Sequence, residues 1–394
     1  MMAMEKNNKT LNVPNLRFPE FSGEWERKRL GNLVEIRSGV SPSGAIDEEG
    51  AYPFYKVEQL NNCYLELGET PYSTRNSAIP ANSIIFPKRG AAIMTNKVRL
   101  TSYPCQLDTN LMALSIKNNE ETDYKFLFYF IERCNLSKIA DTSTIPQINN
   151  THINPLRISI PLIREQKKIS ALLMELDQRI ETQKKIIEKY ESLIRGLITY
   201  VNNGKIGQCK TVCLRELLTE CHEKNSDNHE VCSVSVSHGV INQVDYLGRS
   251  FAAKEVLHYN VVNYGDIVYT KSPTGEFPYG IVKRSNLDRP VAVSPLYGVY
   301  RPVNDYVGTY LHLYFKSPVN TKNYLHRLIQ KGAKNTINIT NQHFLDNKIF
   351  IPENGWLEII VNAASTIEKM IQIECNALLC LERQKNYLLS KMFI

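Results

Sequence analysis

The sequence points to an α+β chain: two tandem mixed α/β domains separated by two long antiparallel helices, the whole built as a pseudo-two-fold internal repeat. Three observations support this. Two Pro-free stretches, about 164–201 and 356–393, carry apolar residues at alternating spacings of three and four, the period of a helix packed along a partner. The regions ahead of them hold short apolar runs bounded by turn residues, the pattern of strands. The ends of those two regions match each other at an offset of 191 residues.

The elements follow in order. Residues 1–19 form a tail whose polar start lacks the apolar stretch of a secretory signal. The first domain, 20–161, contains Ser83-Ile84-Ile85-Phe86 behind the turn Pro80-Ala81-Asn82. The central helix, 162–204, has a seam of Ile169, Leu172, Leu176, Ile186, Tyr190, Leu193 and Leu197, followed by Tyr200 and interrupted by Arg179 and Gln183. At 1.5 Å per residue it spans roughly 55 Å, and Asn202-Asn203-Gly204 reads as its stop. The second domain, 205–352, contains Asp266-Ile267-Val268-Tyr269 behind Tyr264-Gly265, and a helix is expected over Cys213–Glu220. The last helix, 353–394, has a seam of Ile360, Ala364, Ile367, Ile371, Leu378, Leu381 and Leu388, interrupted by Glu374 and Lys385. Neither seam is stable in water by itself, so the two helices are expected to pair.

The repeat is specific at its ends. Ile148, Asn150, His152, Ile158, Ile160 and Pro161 correspond to Ile339, Asn341, His343, Ile349, Ile351 and Pro352, and a long helix follows each Ile-Pro. Lys28–Leu33 resembles Val212–Leu217 more loosely, and Ile84–Lys88 aligns with Ile267–Lys271.

Composition limits the function. The 394 residues carry 47 Lys and Arg against 40 Asp and Glu, a net charge of +7 with no block of one sign, so a polyanion footprint must be built by folding. The excess lies on the second domain and the central helix. The chain has no run of 18 apolar residues, so no transmembrane helix is expected. Nine scattered cysteines fit reduced thiols in a cytoplasm better than a disulfide framework. The chain has no Gly-x-Gly-x-x-Gly, Walker loop, His-Glu-x-x-His or Gly-x-Ser-x-Gly, and no Asn-Pro-Pro-Tyr/Phe of adenine methyltransferases. No catalytic residue is assigned. Cys209, Cys213, Cys221, His222, His229 and Cys232 lie close together, but their irregular spacing argues against zinc, and no metal is expected. His152 and His343, each behind an Asn, read as turn or cap residues.

With these residues in this order, the chain resembles the specificity (S) subunit of type I restriction–modification systems. Leu16-Arg17-Phe18-Pro19-Glu20-Phe21, Trp25-Glu26 and Leu30-Gly31-Asn32-Leu33 are similar to that family's opening. Ser83–Gly90 and Gly265–Lys271 are similar to its strand and loop, and Ile160-Pro161-Leu162 with Glu165-Gln166-Lys167-Lys168-Ile169 to the start of its helix. Two departures stand out: Asn82-Ser83 replaces the usual Gly-Asp, and Pro352–Trp356 lacks the glutamine-containing helix start. The resemblance implies two target-recognition domains, each reading half of a bipartite asymmetric sequence in double-stranded DNA. It implies helices that set half-site spacing and dock two modification subunits. S-adenosylmethionine would sit on those subunits, and ATP and magnesium on further restriction/translocase subunits. This chain itself would bind no cofactor.

For DNA contact, basic residues beside Gly suit phosphates: Lys88, Arg89, Lys97 and Arg99 in one copy, Lys271, Lys283 and Arg284 in the other, all expected on loops. Amides suit base edges: Gln147, Asn149 and Asn150, and Asn338, Asn341 and Gln342. The helix lysines Lys167, Lys168, Lys184, Lys185 and Lys189 suit a solvated or partner-docking face. Two other readings compete. One is a coiled-coil scaffold whose domains bind proteins, and the other is a nuclease or methyltransferase with unrecognised motifs.

Overall fold

The computed structural model describes residues 11–61, 64–142, 144–205, 208–247, 255–331, 337–353 and 355–394. The chain divides into two compact units, Met1–Lys185 with Cys375–Ile394, and Ile186–Glu374.

The first unit runs through β1 (Glu26–Arg29), β2 (Val34–Ser38), β3 (Ile84–Pro87), β4 (Arg99–Leu100) and β5 (Leu111–Ile116). It continues through α1 (Tyr124–Cys134), the short α2 (Asn150–Ile153), β6 (Arg157–Ile160) and the start of α3 (Ile163–Asn202). Strands β2, β5, β3 and β4 form an antiparallel sheet in that order, and β1 pairs with β6. Beside it lies a small sheet of Tyr52–Tyr55, Ser73–Thr74 and Gln106–Leu107.

The second unit repeats this plan. After the end of α3 come β7 (Cys209–Cys213), β8 (Leu218–Glu220), β9 (Ile267–Thr270), β10 (Ile281–Arg284), β11 (Gly298–Pro302), α4 (Asp305–Phe315), α5 (Asn341–Phe344), β12 (Lys348–Pro352) and α6 (Trp356–Met392). The sheet order is β8, β11, β9, β10, and β7 pairs with β12. The register repeats as well: Arg29 faces Arg157, and Cys213 faces Lys348, the residue 191 positions after Arg157. The expected helix over Cys213–Glu220 is absent. Cys213 ends a strand, Leu214–Glu216 make one 3-10 turn, and Leu218–Glu220 form β8. The segment is too short for a helix between two strand pairings.

Each central strand is apolar on both faces because each face meets a core. Ile84 and Phe86 of β3 pack in the main core with α1, while Ile85 faces Leu107, Leu111 and Ala113. In β9, Ile267 and Tyr269 pack with α4, while Val268 faces Val291, Val293 and Val299. Equivalent caps start the packed helices: Asp123 accepts from the Phe126 amide at 2.8 Å, and Asn304 from the Val307 amide at 2.9 Å. A cap of this kind contributes about 1 kcal/mol.

The start of α3 is fastened to the first unit by two buried side chains. Gln166 donates through Nε2 to the Glu121 and Pro161 carbonyls, both at 2.9 Å, and accepts from the Asp123 amide at 2.9 Å. Glu165 receives a two-pronged contact from Arg17, both bonds at 2.7 Å. These contacts explain physically why Glu and Gln occupy this helix start.

The seam of α3 lies one residue away from the sequence expectation. Ile169 and Leu176 are buried, but Leu173, Ile180, Ile194, Ile198 and Val201 complete the buried stripe. Leu172, Ile186, Tyr190 and Leu197 flank it half-buried, while Leu193 and Tyr200 face solvent, 52% and 53% exposed. Adjacent apolar pairs, Leu172 with Leu173 and Leu193 with Ile194, leave two frames open to a sequence reading. The frame that buries Ile180 in place of Arg179 costs less desolvation. On α6, Ile360 and Ala364 are buried, and Ile367, Ile371, Leu378, Leu381 and Leu388 are half-buried along one stripe.

Each unit completes its core with pieces of both helices. In the first, Ile169 and Leu173 of α3 pack with Leu389 and Met392 of α6 and with Phe393, which stacks on Phe126 at 4.9 Å. Asp177 pairs with Lys385 at 2.8 Å and Lys184 with Glu382 at 3.3 Å, so these helical segments run antiparallel. In the second, Ile194, Ile198 and Val201 of α3 join Ile360, Val361 and Ala364 of α6.

Lys385, an interruption in the apolar stripe, sits in a charge cluster. It bonds Glu132 and Asp177, each at 2.8 Å, and Tyr129 donates to Asp177 at 2.7 Å. Burial alone would lower the Lys385 pKa, but the two carboxylates outweigh it and raise it. Burial raises the Glu132 pKa against the pull of Lys385. Lys385→Met leaves two carboxylates without their cation and is expected to cost about 3 kcal/mol. Adding Glu132→Gln and Asp177→Asn should restore most of that loss in chemical denaturation.

A second test concerns His312 on α4. Its Nδ1 accepts from the Arg284 amide at 3.3 Å. Burial first, then Lys283, Lys316 and Arg284, push its pKa down to about 3 from 6.5. The unfolded chain therefore binds the proton more readily. The neutral imidazole's contribution is complete above pH 6.5 and is lost as pH falls towards 3. Denaturation of His312→Gln across that window should show a flatter pH dependence than the parent.

Candidate functional site

In both units, loops from the same places in the repeat converge at one end of the four-stranded sheet. In the first unit these are the loop after β3, the turn before β5 and the start of α2. Lys88 donates its amide to the Asn110 carbonyl at 2.8 Å, and its carbonyl accepts from the Ile148 amide at 2.8 Å. The Gly90 amide bonds the Pro146 carbonyl at 2.8 Å, and Gly90 has φ +80°, which a side chain would strain. Arg89 forms a β-bridge with Gln147. The turn is rigidified by Asp108, which accepts from the Asn110 amide at 2.8 Å.

Arg89, Gln147, Asn149 and Asn150 line this end of the sheet, and all four are exposed. Lys88 is half-buried; burial and the neighbouring Arg89 lower its pKa, and Asp108 opposes them. His152 is a cap: its Nδ1 accepts from the Asn149 amide at 3.0 Å across the first turn of α2.

In the second unit the same segments border a cleft of about 870 Å³. Glu220 and His222 lie at and after the end of β8, Lys271 to Pro273 follow β9, Pro295 to Tyr297 precede β11, and Thr340 to Gln342 open α5. Lys271 is exposed. Partial burial lowers the Lys271 pKa, opposed by Glu220. Thr340 caps α5 by accepting from the His343 amide at 3.1 Å. Among the described residues, no protein group bonds Asn341 Oδ1. Asn338 lies in a short strand, Ile337–Asn338; its side chain falls outside the described residues.

Three of the basic residues expected on loops lie in strands instead. Lys283 and Arg284 belong to β10 and are 4% and 6% exposed. Arg284 pairs with Asp305, and burial pushes Lys283 down to a pKa of about 8. Neither presents its charge to a phosphate. Arg99 lies in β4, at the register position equivalent to Lys283, since Arg99 faces Ile85 as Lys283 faces Val268. Its guanidinium donates to the Val98 and Leu60 carbonyls at 2.7 and 2.9 Å. Lys97 keeps its loop, just ahead of β4, but is half-buried and bonds Asn61. Basic residues within a short edge strand look like loop residues because nothing in the sequence marks so short a strand.

The clustered cysteines are occupied with packing. Cys213 Sγ approaches the Leu345 and Asp346 carbonyls at 3.4 and 3.6 Å, and Cys209 Sγ approaches the Val201 carbonyl at 3.8 Å. No group of three or more potential metal ligands occurs among the described residues. No helix among them is long and apolar enough to cross a membrane.

Sequence reasoning missed the tyrosines that hold α5. Tyr300 of β11 donates to the Asn341 carbonyl at 2.9 Å, and Tyr324 donates to the Phe344 carbonyl at 2.6 Å. Tyr269 and Tyr300 also stack on Phe344 at 4.7 and 4.9 Å. The abundance of tyrosine, 21 in the chain, is the one sequence signal that could have found them.

The family described as type I restriction modification DNA specificity domain matches residues 22–192. The chain is 24% identical over 206 residues to the type I restriction enzyme MjaVIII specificity subunit of Methanocaldococcus jannaschii, covering 50% of this chain and 46% of that protein. It is 27% identical over 182 residues to the MjaIX specificity subunit of the same organism, covering 42% and 41%. The chain thus spans about half the length of the curated relatives it matches. The type I restriction–modification S subunit of M. genitalium has the same fold, with a TM-score of 0.59 at 14% identity, covering 97% of this chain and 99% of that one.

Tyr300→Phe removes the bond to Asn341 while keeping the ring stack. It should cost about 1 kcal/mol in denaturation and speed hydrogen exchange in α5 more than in α4.

Proposed function

We propose that the chain, whose residues 22–192 match the family described as type I restriction modification DNA specificity domain, is the DNA sequence-specificity subunit of a type I restriction–modification complex. Each unit reads one half of a bipartite asymmetric target in double-stranded DNA. The helices α3 and α6 set the half-site spacing and dock two modification subunits, on which S-adenosylmethionine and adenine methylation reside. Restriction/translocase subunits, with ATP and magnesium, complete the assembly in the cytoplasm. The chain performs no catalysis of its own.

The observation that carries this reading is the duplicated site. A polar, loop-built surface recurs at the same sheet end in both units, with a lysine kept at equivalent positions after β3 and β9 and different residues around it. Shared scaffold with divergent loops suits two readers of unlike sequences. Arg89 and Lys271 serve phosphates, and Gln147, Asn149, Asn150, Asn341 and Gln342 serve base edges.

The test is selection of the assembled complex on randomised duplexes. A two-part consensus is expected; enrichment of no sequence, or of a single uninterrupted one, would overturn the reading. Arg89→Ala and Lys271→Ala should weaken binding to all sequences and lower the slope of log affinity against log salt by about one each. Gln342→Ala should relax preference at one position of one half-site, costing about 1–3 kcal/mol there.

A further inference from the structure

Among the positions at which the two loop surfaces diverge, one exchanges an amide for an exposed apolar side chain. The register of β3 and β9 fixes the correspondence. Ile84 faces Leu114, and Ile267 faces Tyr300, so Asn110 and Leu296 each stand four residues ahead of an equivalent strand position. The first unit thus carries an amide where the second carries an isobutyl group.

Leu296 is 74% exposed, yet its backbone is firmly held. Its amide donates to Ser294 Oγ at 3.3 Å, the Tyr297 amide donates to the Ser294 carbonyl at 3.0 Å, and the buried Asn260 donates to the Tyr297 carbonyl at 3.0 Å. Pro273 and Pro295 add apolar surface in the same cleft, beside Lys271, Asn341 and Gln342. An apolar side chain held out from a stiff turn, among an ammonium and two amides, suits the major-groove edge of an A·T pair. There the adenine offers a donor and an acceptor to an amide, and the thymine offers its 5-methyl group. Lys271 supplies the charge complement to the adjoining backbone.

We propose that Leu296 is a specificity-determining residue of the second unit, contacting the 5-methyl group of a thymine in that unit's half-site. This rests on the DNA-reading function proposed above.

Replacing thymine by deoxyuridine removes that methyl and leaves every base-pairing hydrogen bond in place. The full-length chain, assembled with its modification subunits, is titrated on its selected target carrying single thymine-to-deoxyuridine changes. The half-site belonging to the second unit is the one that persists when residues 20–161 are exchanged for those of a relative. We expect one position in that half where deoxyuridine weakens binding about fourfold, the worth of one buried methyl group. Leu296→Ala and Leu296→Asn should bind both versions equally. A complex that binds a bipartite target but tolerates deoxyuridine throughout that half overturns the role of Leu296 and leaves the DNA-reading function standing. A half-site without an A·T pair, or variants that keep the fourfold difference, would overturn that role in the same way. Absence of any sequence preference overturns the underlying function together with it.

Discussion

Burial of the apolar seams of α3 and α6 governs how the rest of the chain is arranged. A helix of this length has more apolar surface than its own domain covers, and that surface must leave water. Here each unit buries a piece of both helices. Leu389, Met392 and Phe393 enter the first unit's core from the far end of the chain, and Ile194, Ile198 and Val201 enter the second unit's core from the end of α3. The first unit is therefore not a simple stretch of sequence. It closes only when residues 375–394 return to it, so its core is among the longest-range features of the fold.

The two units solve the attachment of their helices differently. The first uses polar anchors: Gln166 and Glu165 at the start of α3, and the Lys385, Glu132 and Asp177 cluster further along. The second buries Ile360, Val361 and Ala364, adds the pair of Lys316 with Glu368 at 3.4 Å, and has no counterpart of the Glu-Gln start. Buried charge clusters contribute little net stability, but their geometry admits few alternatives. The scaffold beneath the loops is common to both units, while the loops carry the differences. Lys88 and Lys271 persist at one position, and Asn110 and Leu296 diverge at another.

Much of this is legible in the sequence, and the limits have physical causes. The repeat is readable because strand β6 and helix α2 keep their residue types in β12 and α5. The stripe of α6 is readable because single apolar residues recur in it. The stripe of α3 shifts by one residue because neighbouring apolar pairs satisfy two frames, and only packing selects between them. Arg179 within the expected seam is the sign of the wrong frame. Lys385 looks like a flaw in its stripe, whereas its partners, Glu132 and Asp177, are remote in sequence. Lys283 and Arg284 look like surface charge because their burial depends on α4 covering β10. At the candidate site, repetition between the copies marks the polar residues of Gln147–Asn150 and Asn341-Gln342. It does not mark Tyr300 or Leu296, because neither has an equivalent of the same type in the other copy.

If two independent readers share one chain, exchanging one of them must rewrite half of the target and spare the other half. A map of methylated adenines across a host genome measures this without purification. The map is compared between cells carrying the natural chain and cells carrying a version with residues 20–161 exchanged for those of a relative. A bipartite methylated motif is expected in the first case. In the second, one half of that motif should change while the other half stays intact. A motif altered in both halves, or in neither, would be incompatible with two independent readers.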